Sequence, residues 1–216
     1  AVQLDHGGAF AQGIDAIRAG FTSIMVDRSS APYEQNVAEV AEMVRIAHSI
    51  GVSVEAELGH VGQGSNYDVD GAADPQQAKA YIEQTGVDAL AVAIGTAHGF
   101  YSGTPRLDFD RLVAIKAATG HPLVLHGGSG TGDENLRKAC QLGINKVNIG
   151  GELIRAAYDA IQQTDLSGNN VYGLFNIISA GFKGRVKELI DIFGSAGKAW
   201  SIAPKGIARG QSTPEV

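Results

Sequence analysis

Short apolar runs that break at once into polar or glycine-rich residues recur along this 216-residue chain. Val2 to Gly8 (VQLDHGG) reads as a strand already under way when the sequence opens. Phe21 to Val26 (FTSIMV) predicts a strand ending at Asp27, and Val52 to Leu58 another with Glu57 at its end. Asp88 to Ile94 (DALAVAI) predicts a fourth, leading through Gly95 to Ala97, His98 and Gly99. Leu123 to Leu125 follows Pro122 and runs directly into His126, Gly127, Gly128, Ser129 and Gly130. Ile144 to Ile149 is the last run, followed by Gly150 and Gly151. Runs this short and this apolar are typical of strands buried on both faces.

Helical spacing fills the intervals. Phe10 to Ala19 fits one helix. Glu34 to Ile50 fits another, with Val37, Val40, Met43, Val44, Ile46 and Ala47 on one stripe and Gly51 stopping it. Pro75 to Thr85 is a third, with Asp74 as its N-cap. Asp108 to Thr119 and Asp133 to Cys140 follow, and Glu152 to about Gly197 reads as further helices before a polar tail over Gly206 to Val216. A long loop rich in Gly, Asn and Asp separates Gly59 from Asp74.

Strands alternating with helices predict an α/β domain with a parallel sheet. Candidate reactive residues at successive strand ends fit a TIM (β/α)8 barrel better than an open sheet, where one crevice dominates. Only six strands can be counted, and the first opens in mid-strand. The expectation is therefore a single partial barrel over residues 1–216, with the first two βα units missing. A six-stranded arc leaves hydrophobic edges open, so the chain is expected to be unstable alone.

Composition narrows the function. Net charge is −6, which argues against a nucleic-acid binder, and 44% apolar against 19% charged residues describes a globular protein. Cys140 is the only cysteine, so no internal disulfide forms. No signal peptide or transmembrane run is visible, and the expectation is a cytoplasmic protein with no membrane partner.

Three histidines close the picture: His6, His98 and His126 each end an apolar run and each precedes a glycine. Three imidazoles plus an open position is the usual catalytic zinc arrangement, and the alternative is three unrelated loop histidines. Asp5 beside His6 is placed to move a proton, or else to orient or cap. Glu57 is placed as an alternate metal ligand or as a carboxylate that orients one histidine. Glu55 shares its parity, so both are expected to point inward, where an ion pair would be the plain explanation. His48 and His121 read as structural, and His60 as a loop residue. The bare backbone of Gly127 and Gly128 with the Ser129 hydroxyl, set beside Asn148 on the next strand, makes a phosphate cradle.

The segments LDHG, GFTSIMVD, VSVEAELG, TGVDALAVAIGTAHG, PLVLHGGSG and INKVNIG resemble, in order, the signatures of the class II, zinc-dependent ketose-bisphosphate aldolases. That group includes the fructose-bisphosphate and tagatose-bisphosphate enzymes. The resemblance spans about residues 2–155, with a weaker echo in LIDIFGSAGKA. It implies a (β/α)8 barrel, zinc held by His6, His98 and His126, and Asp5 as the catalytic proton donor and acceptor. It implies metal contact at Glu57. It also implies that Gly99, Gly127, Gly128, Ser129, Asn148, Ile149, Gly150 and Gly151 hold the phosphate-bearing half of a phosphorylated ketose. The products would be dihydroxyacetone phosphate and an aldehyde. A monovalent cation near the phosphate and a homodimer or homotetramer complete the implication.

Three departures stand out. Many members carry an acidic residue in a mobile loop after ELG, where this chain has HVGQGSNYD with Ser65 near that position; Tyr67, Asp68 or Asp70 are the substitutes in reach. Gly151 stands where a Thr is usual, and Arg28 where a small residue is common, free to meet a second anionic group. The rival readings are a paralogue that binds metal and sugar phosphate without cleavage, and a zinc hydrolase, which would want an HxH pair that is not present.

Overall fold

A computed structural model describes residues 1–59, 62–63, 73–99 and 101–199. His60, Ser65, Tyr67, Asp68, Asp70 and the 206–216 tail lie outside the described residues. The elements run β1 (Gln3–Gly7), α1 (Phe10–Arg18), β2 (Ser23–Val26), α2 (Tyr33–His48), β3 (Ser53–Leu58), β4 (Gly62–Gln63), α3 (Pro75–Thr85) and β5 (Ala89–Val92). They continue with β6 (Ala97–His98), α4 (Phe109–Thr119), β7 (Leu123–Leu125), α5 (Asp133–Leu142), β8 (Ile144–Val147), α6 (Gly151–Gln162), a 3-10 helix (Gly168–Gly173) and α7 (Leu174–Ile192).

Six strands form one parallel sheet in chain order, β1-β2-β3-β5-β7-β8. Neighbouring strands joined through helices in unbroken order are the arrangement of a TIM-barrel-like fold, here as an incomplete barrel. The sheet curls. Asp5 on one edge strand accepts a 2.9 Å hydrogen bond from the Asn148 side chain, just past the other edge strand.

Alternation along the strands separates two environments. Ile24, Val26, Val54, Ala56, Leu58, Leu90, Val92, Leu123 and Leu125 pack outward against Val40, Met43, Ala78, Tyr81, Leu112, Ile115 and Leu136 of the helices. Residues of opposite parity face the interior, and the register lines them up: Met25 pairs with Glu55, and Glu57 with Ala91, which pairs in turn with Val124. The strand sequences look uniformly apolar because both faces are covered. The two glutamates mark which face is inside.

Helix boundaries follow local chemistry. Asp74 caps α3, accepting the Gln76 and Gln77 N–H groups at 2.9 Å, with Pro75 in the first turn where no donor is needed. Asp108, expected inside α4, instead caps it through the Arg111 N–H. The C-terminal helix packs closely on α6, because a Cβ at Gly181 would stand 2.7 Å from the Ala156 carbonyl.

Two expectations are corrected. The strand expected to run to Ile94 ends at Val92, and His98 lies on the separate two-residue strand β6, paired in parallel with β4. Gly95 turns the chain there at φ 106°, and its missing side chain lets the Arg106 carbonyl approach. The last strand likewise stops at Val147 rather than Ile149. Among the described residues no helix is long and apolar enough to cross a membrane.

Candidate active site

His6 lies in β1 with φ 50°, the only non-glycine residue at positive φ among those described. That left-handed backbone costs an L-residue about 1–2 kcal/mol and persists where surrounding contacts hold it. It turns the ring to meet two others. The His6 ring centroid stands 4.8 Å from that of His98 and 4.6 Å from that of His126. The three sequence-predicted ligands therefore converge, with ligand atoms all within 4.8 Å of one another.

Their outer nitrogens decide their tautomers. His6 Nδ1 bonds the Asp27 carboxylate at 2.8 Å, and the fully buried His126 bonds the Glu55 carboxylate through Nε2 at 2.9 Å. A carboxylate can only accept, so each of these nitrogens carries a hydrogen and each ring presents a lone pair on its other nitrogen. Those inner atoms, His6 Nε2 and His126 Nδ1, face each other at 2.8 Å. His98 Nε2 is buried and has no hydrogen-bond partner. Two lone-pair nitrogens beside the buried, unpartnered His98 Nε2 fit a bound cation, and carboxylates behind metal-bound imidazoles orient them in this way.

The same contacts set the electrostatics. Hydrogen bonding to Asp27 raises the His6 pKa, and the same bond holds the Asp27 carboxyl well below its ordinary range. Burial, with the two neighbouring imidazoles, lowers the His98 pKa. Burial opposes ionisation of Glu55, but His126, Lys146 and Gln3 outweigh it and hold its pKa below the usual value. Glu57 is buried and, with His6 and Asp27, forms a second convergent set on the same imidazole. Its strand end is fixed from outside: Asn36 donates to the Glu57 carbonyl at 3.2 Å, and Tyr81 donates to Asn36 at 2.6 Å.

A cavity of about 1020 Å³ opens over the histidines. Asp5, His6, His98, Gly99, Gly127, Gly128, Ser129, Asn148, Ile149, Gly150 and Gly151 all line it, while His126 and Glu57, also chosen from sequence, are buried and do not. Gly127 sits at φ 67°, and a Cβ there would stand 2.4 Å from the Ala97 carbonyl. Only glycine lets the loop cross the main chain this close to His98. The Tyr101 hydroxyl locks that crossing, accepting the Ala97 N–H at 2.7 Å and donating to the Gly127 carbonyl at 2.8 Å. Ser129 Oγ accepts the N–H groups of Gly150 and Glu152 at 3.1 and 3.3 Å, joining the loop to the first turn of α6.

The match to the family model of fructose-bisphosphate aldolase class-II covers residues 1–198. The chain belongs to this family. It is therefore a lyase. The fructose-bisphosphate aldolase of Geobacillus stearothermophilus is 43% identical over 206 residues, covering 92% of this chain and 71% of that protein. The Staphylococcus aureus (strain Mu50) enzyme of the same name is 42% identical over 210 residues, with 92% and 72% covered. Among solved structures, the YdjI aldolase from Escherichia coli superposes with a TM-score of 0.80 at 37% identity, over 92% of this chain and 70% of that one.

Against this family background, some residues fall elsewhere. His48 and His121 lie at the opposite ends of the strands, His48 pairing with Asp88 at 2.9 Å. Arg28 pairs with Glu39 and donates to the Gly8 carbonyl, so it is turned away from the cavity. Two residues were missed from sequence. Asp27 was visible only as a strand end, although a carboxylate ending SIMVD repeats the polar ending of QLDHG. Lys146 was legible by parity with Asn148; it donates to Asn148 Oδ1 at 2.6 Å and pairs with Glu55 at 3.0 Å. Asn148 consequently turns its amide hydrogens toward Asp5.

Proposed function

We propose that this chain is a zinc-dependent aldolase that reversibly cleaves a phosphorylated ketose, of the ketose 1,6-bisphosphate kind, into dihydroxyacetone phosphate and an aldehyde. The observation that carries it is the convergence of three imidazoles beside a glycine-lined cavity, two of them held from behind by carboxylates and the third with a buried, unpartnered nitrogen. His6, His98 and His126 hold the zinc, and Glu57 is its alternate contact. Bound there, zinc supplies Lewis-acid polarisation of the substrate carbonyl and stabilises the negative charge that develops as the carbon–carbon bond breaks.

The rest is done by side chains. Asp5 removes the proton of the C4 hydroxyl in cleavage and returns it to the aldehyde oxygen in condensation. Its carboxylate is exposed to the cavity and steadied by Asn148, which Lys146 orients. Gly99, Gly127, Gly128, Ser129, Asn148, Ile149, Gly150 and Gly151 receive the phosphate. The Gly150 and Glu152 N–H groups, resting on Ser129, are the donors an anion takes over at the start of α6. A monovalent cation beside that phosphate belongs to the same reading.

Two structural proposals accompany it. Two further βα units close the six-stranded arc into an eight-stranded barrel, in keeping with the 71% of the Geobacillus protein's length that this chain spans. Association into a homodimer or homotetramer is supported by large apolar side chains left exposed on the C-terminal segments, Tyr172 at 85% and Phe175 at 82%.

Incubating the protein with a panel of ketose phosphates is expected to release triose phosphate from at least one, with EDTA abolishing the release and added zinc restoring it. No triose phosphate from any sugar would favour the paralogue that binds without cleaving. Asp27→Asn is expected to keep the ring contact but lose the charge that fixes the His6 tautomer. Zinc affinity should fall about 10–100-fold in a chelator competition. An unchanged affinity would remove Asp27 from that role.

A further inference from the structure

Arg185 lies on α7, away from the histidines, yet its guanidinium reaches the cavity wall. Nε donates to Glu152 at 2.6 Å, Nη1 to Glu188 at 2.7 Å, and Nη2 pairs with both Asp133 and Glu152. Asp133 begins α5 and Glu152 lies in the first turn of α6, so one side chain bridges the N-termini of the helices that follow β7 and β8. The second oxygen of Glu152 accepts the Gly130 N–H at 3.2 Å. In the other direction, Ser129 accepts the Glu152 N–H. The glycine loop and α6 are thus latched twice, and Arg185 holds the acidic half of the latch.

The charge arrangement makes this more than a structural tie. Glu152 lines the cavity, where an uncompensated carboxylate would repel an entering phosphate. Arg185 is 16% exposed, so its compensation of that charge is screened less than a surface pair would be. The two-pronged guanidinium also fixes the direction of the carboxylate, which a point charge would not.

We infer that Arg185 is a positioning residue for phosphate recognition: by gripping and neutralising Glu152, which holds the Gly130 N–H, it sets the glycine loop and the first turn of α6 to receive the phosphate of the substrate. The assignment rests on the phosphate reading given above. Arg185 touches neither the substrate nor the imidazoles in this arrangement. Its loss therefore acts on binding and leaves the metal site and the bond-breaking step alone.

The test uses the zinc-loaded full chain, titrated calorimetrically with dihydroxyacetone phosphate and assayed with the ketose phosphate it cleaves. For Arg185→Gln, affinity for dihydroxyacetone phosphate is expected to weaken about tenfold or more, with KM rising in parallel. Zinc content should be unchanged and kcat should stay within about twofold, the split expected when ground-state and transition-state binding are lost equally. Arg185→Lys keeps the charge and loses the fork; it is expected to weaken binding about threefold and so tests the idea even if the Gln variant does not fold. Glu188→Gln removes only the outer partner and is expected to leave KM unchanged.

Undiminished affinity in Arg185→Lys, a kcat loss at constant KM in Arg185→Gln, or equal weakening in Glu188→Gln would each overturn the assignment alone. Wild-type protein that fails to bind dihydroxyacetone phosphate overturns the phosphate reading and this assignment with it.

Discussion

His98→Ala is expected to take zinc content from one ion per chain to near zero after dialysis, measured by elemental analysis. His98 Nε2 is buried and has no hydrogen-bond partner, as a nitrogen kept for a metal would be. His6 and His126 each have a carboxylate behind them that survives the substitution, but two imidazoles alone leave a divalent ion under-coordinated. If zinc binding of about 10–16 kcal/mol is shared over four ligands, losing one costs about 2.5–4 kcal/mol, on the order of 10²–10³-fold in affinity. The fold should tolerate the change, because the ring stands on the two-residue strand β6 rather than in the packed layer between sheet and helices. Full occupancy in the variant would refute the ligand assignment and the aldolase mechanism built on it.

Asp5→Ala should behave in the opposite way, retaining zinc and losing turnover. Asp5 shares β1 with His6, but its side chain reaches Asn148 across the mouth of the curled sheet. Among the described residues no metal-holding set includes it. General acid–base catalysis contributes about 10²–10⁴-fold, and kcat should fall by that much in both cleavage and condensation. Asp5→Asn is the sharper variant: it preserves a partner for Asn148 and removes only the capacity to take a proton. Retained turnover in either would remove Asp5 from its role.

Much of this site was legible in the chain itself, for a physical reason. Strands of a curled parallel sheet are covered on both faces, so residues such as Leu123 to Leu125 leave little freedom, and the polar residue that ends each run is what chemistry can use. His126 and Gly127 announce themselves in this way, as do Asp74 and Pro75 at the start of α3. The placement of His98 was less legible. A strand of two residues carries no periodicity, and β6 exists because β4, also two residues long, lies beside it. Asp27 hid behind its position, since a carboxylate ending a strand also reads as the start of a turn. Arg185 gave no signal at all: among α7 charges it looks like any solvated side chain, and its partners Asp133 and Glu152 are 52 and 33 residues away.

The crossing of Gly127 over Ala97 bears on any effort to retarget the enzyme. A methyl group at that crossing would push on a carbonyl one residue from His98, so diversity introduced there is spent on collapsed variants rather than on altered selectivity. Arg155, on the rim of the same cavity and more than half exposed, carries no such constraint. Library design for altered selectivity should begin at Arg155 and leave the glycine crossing untouched.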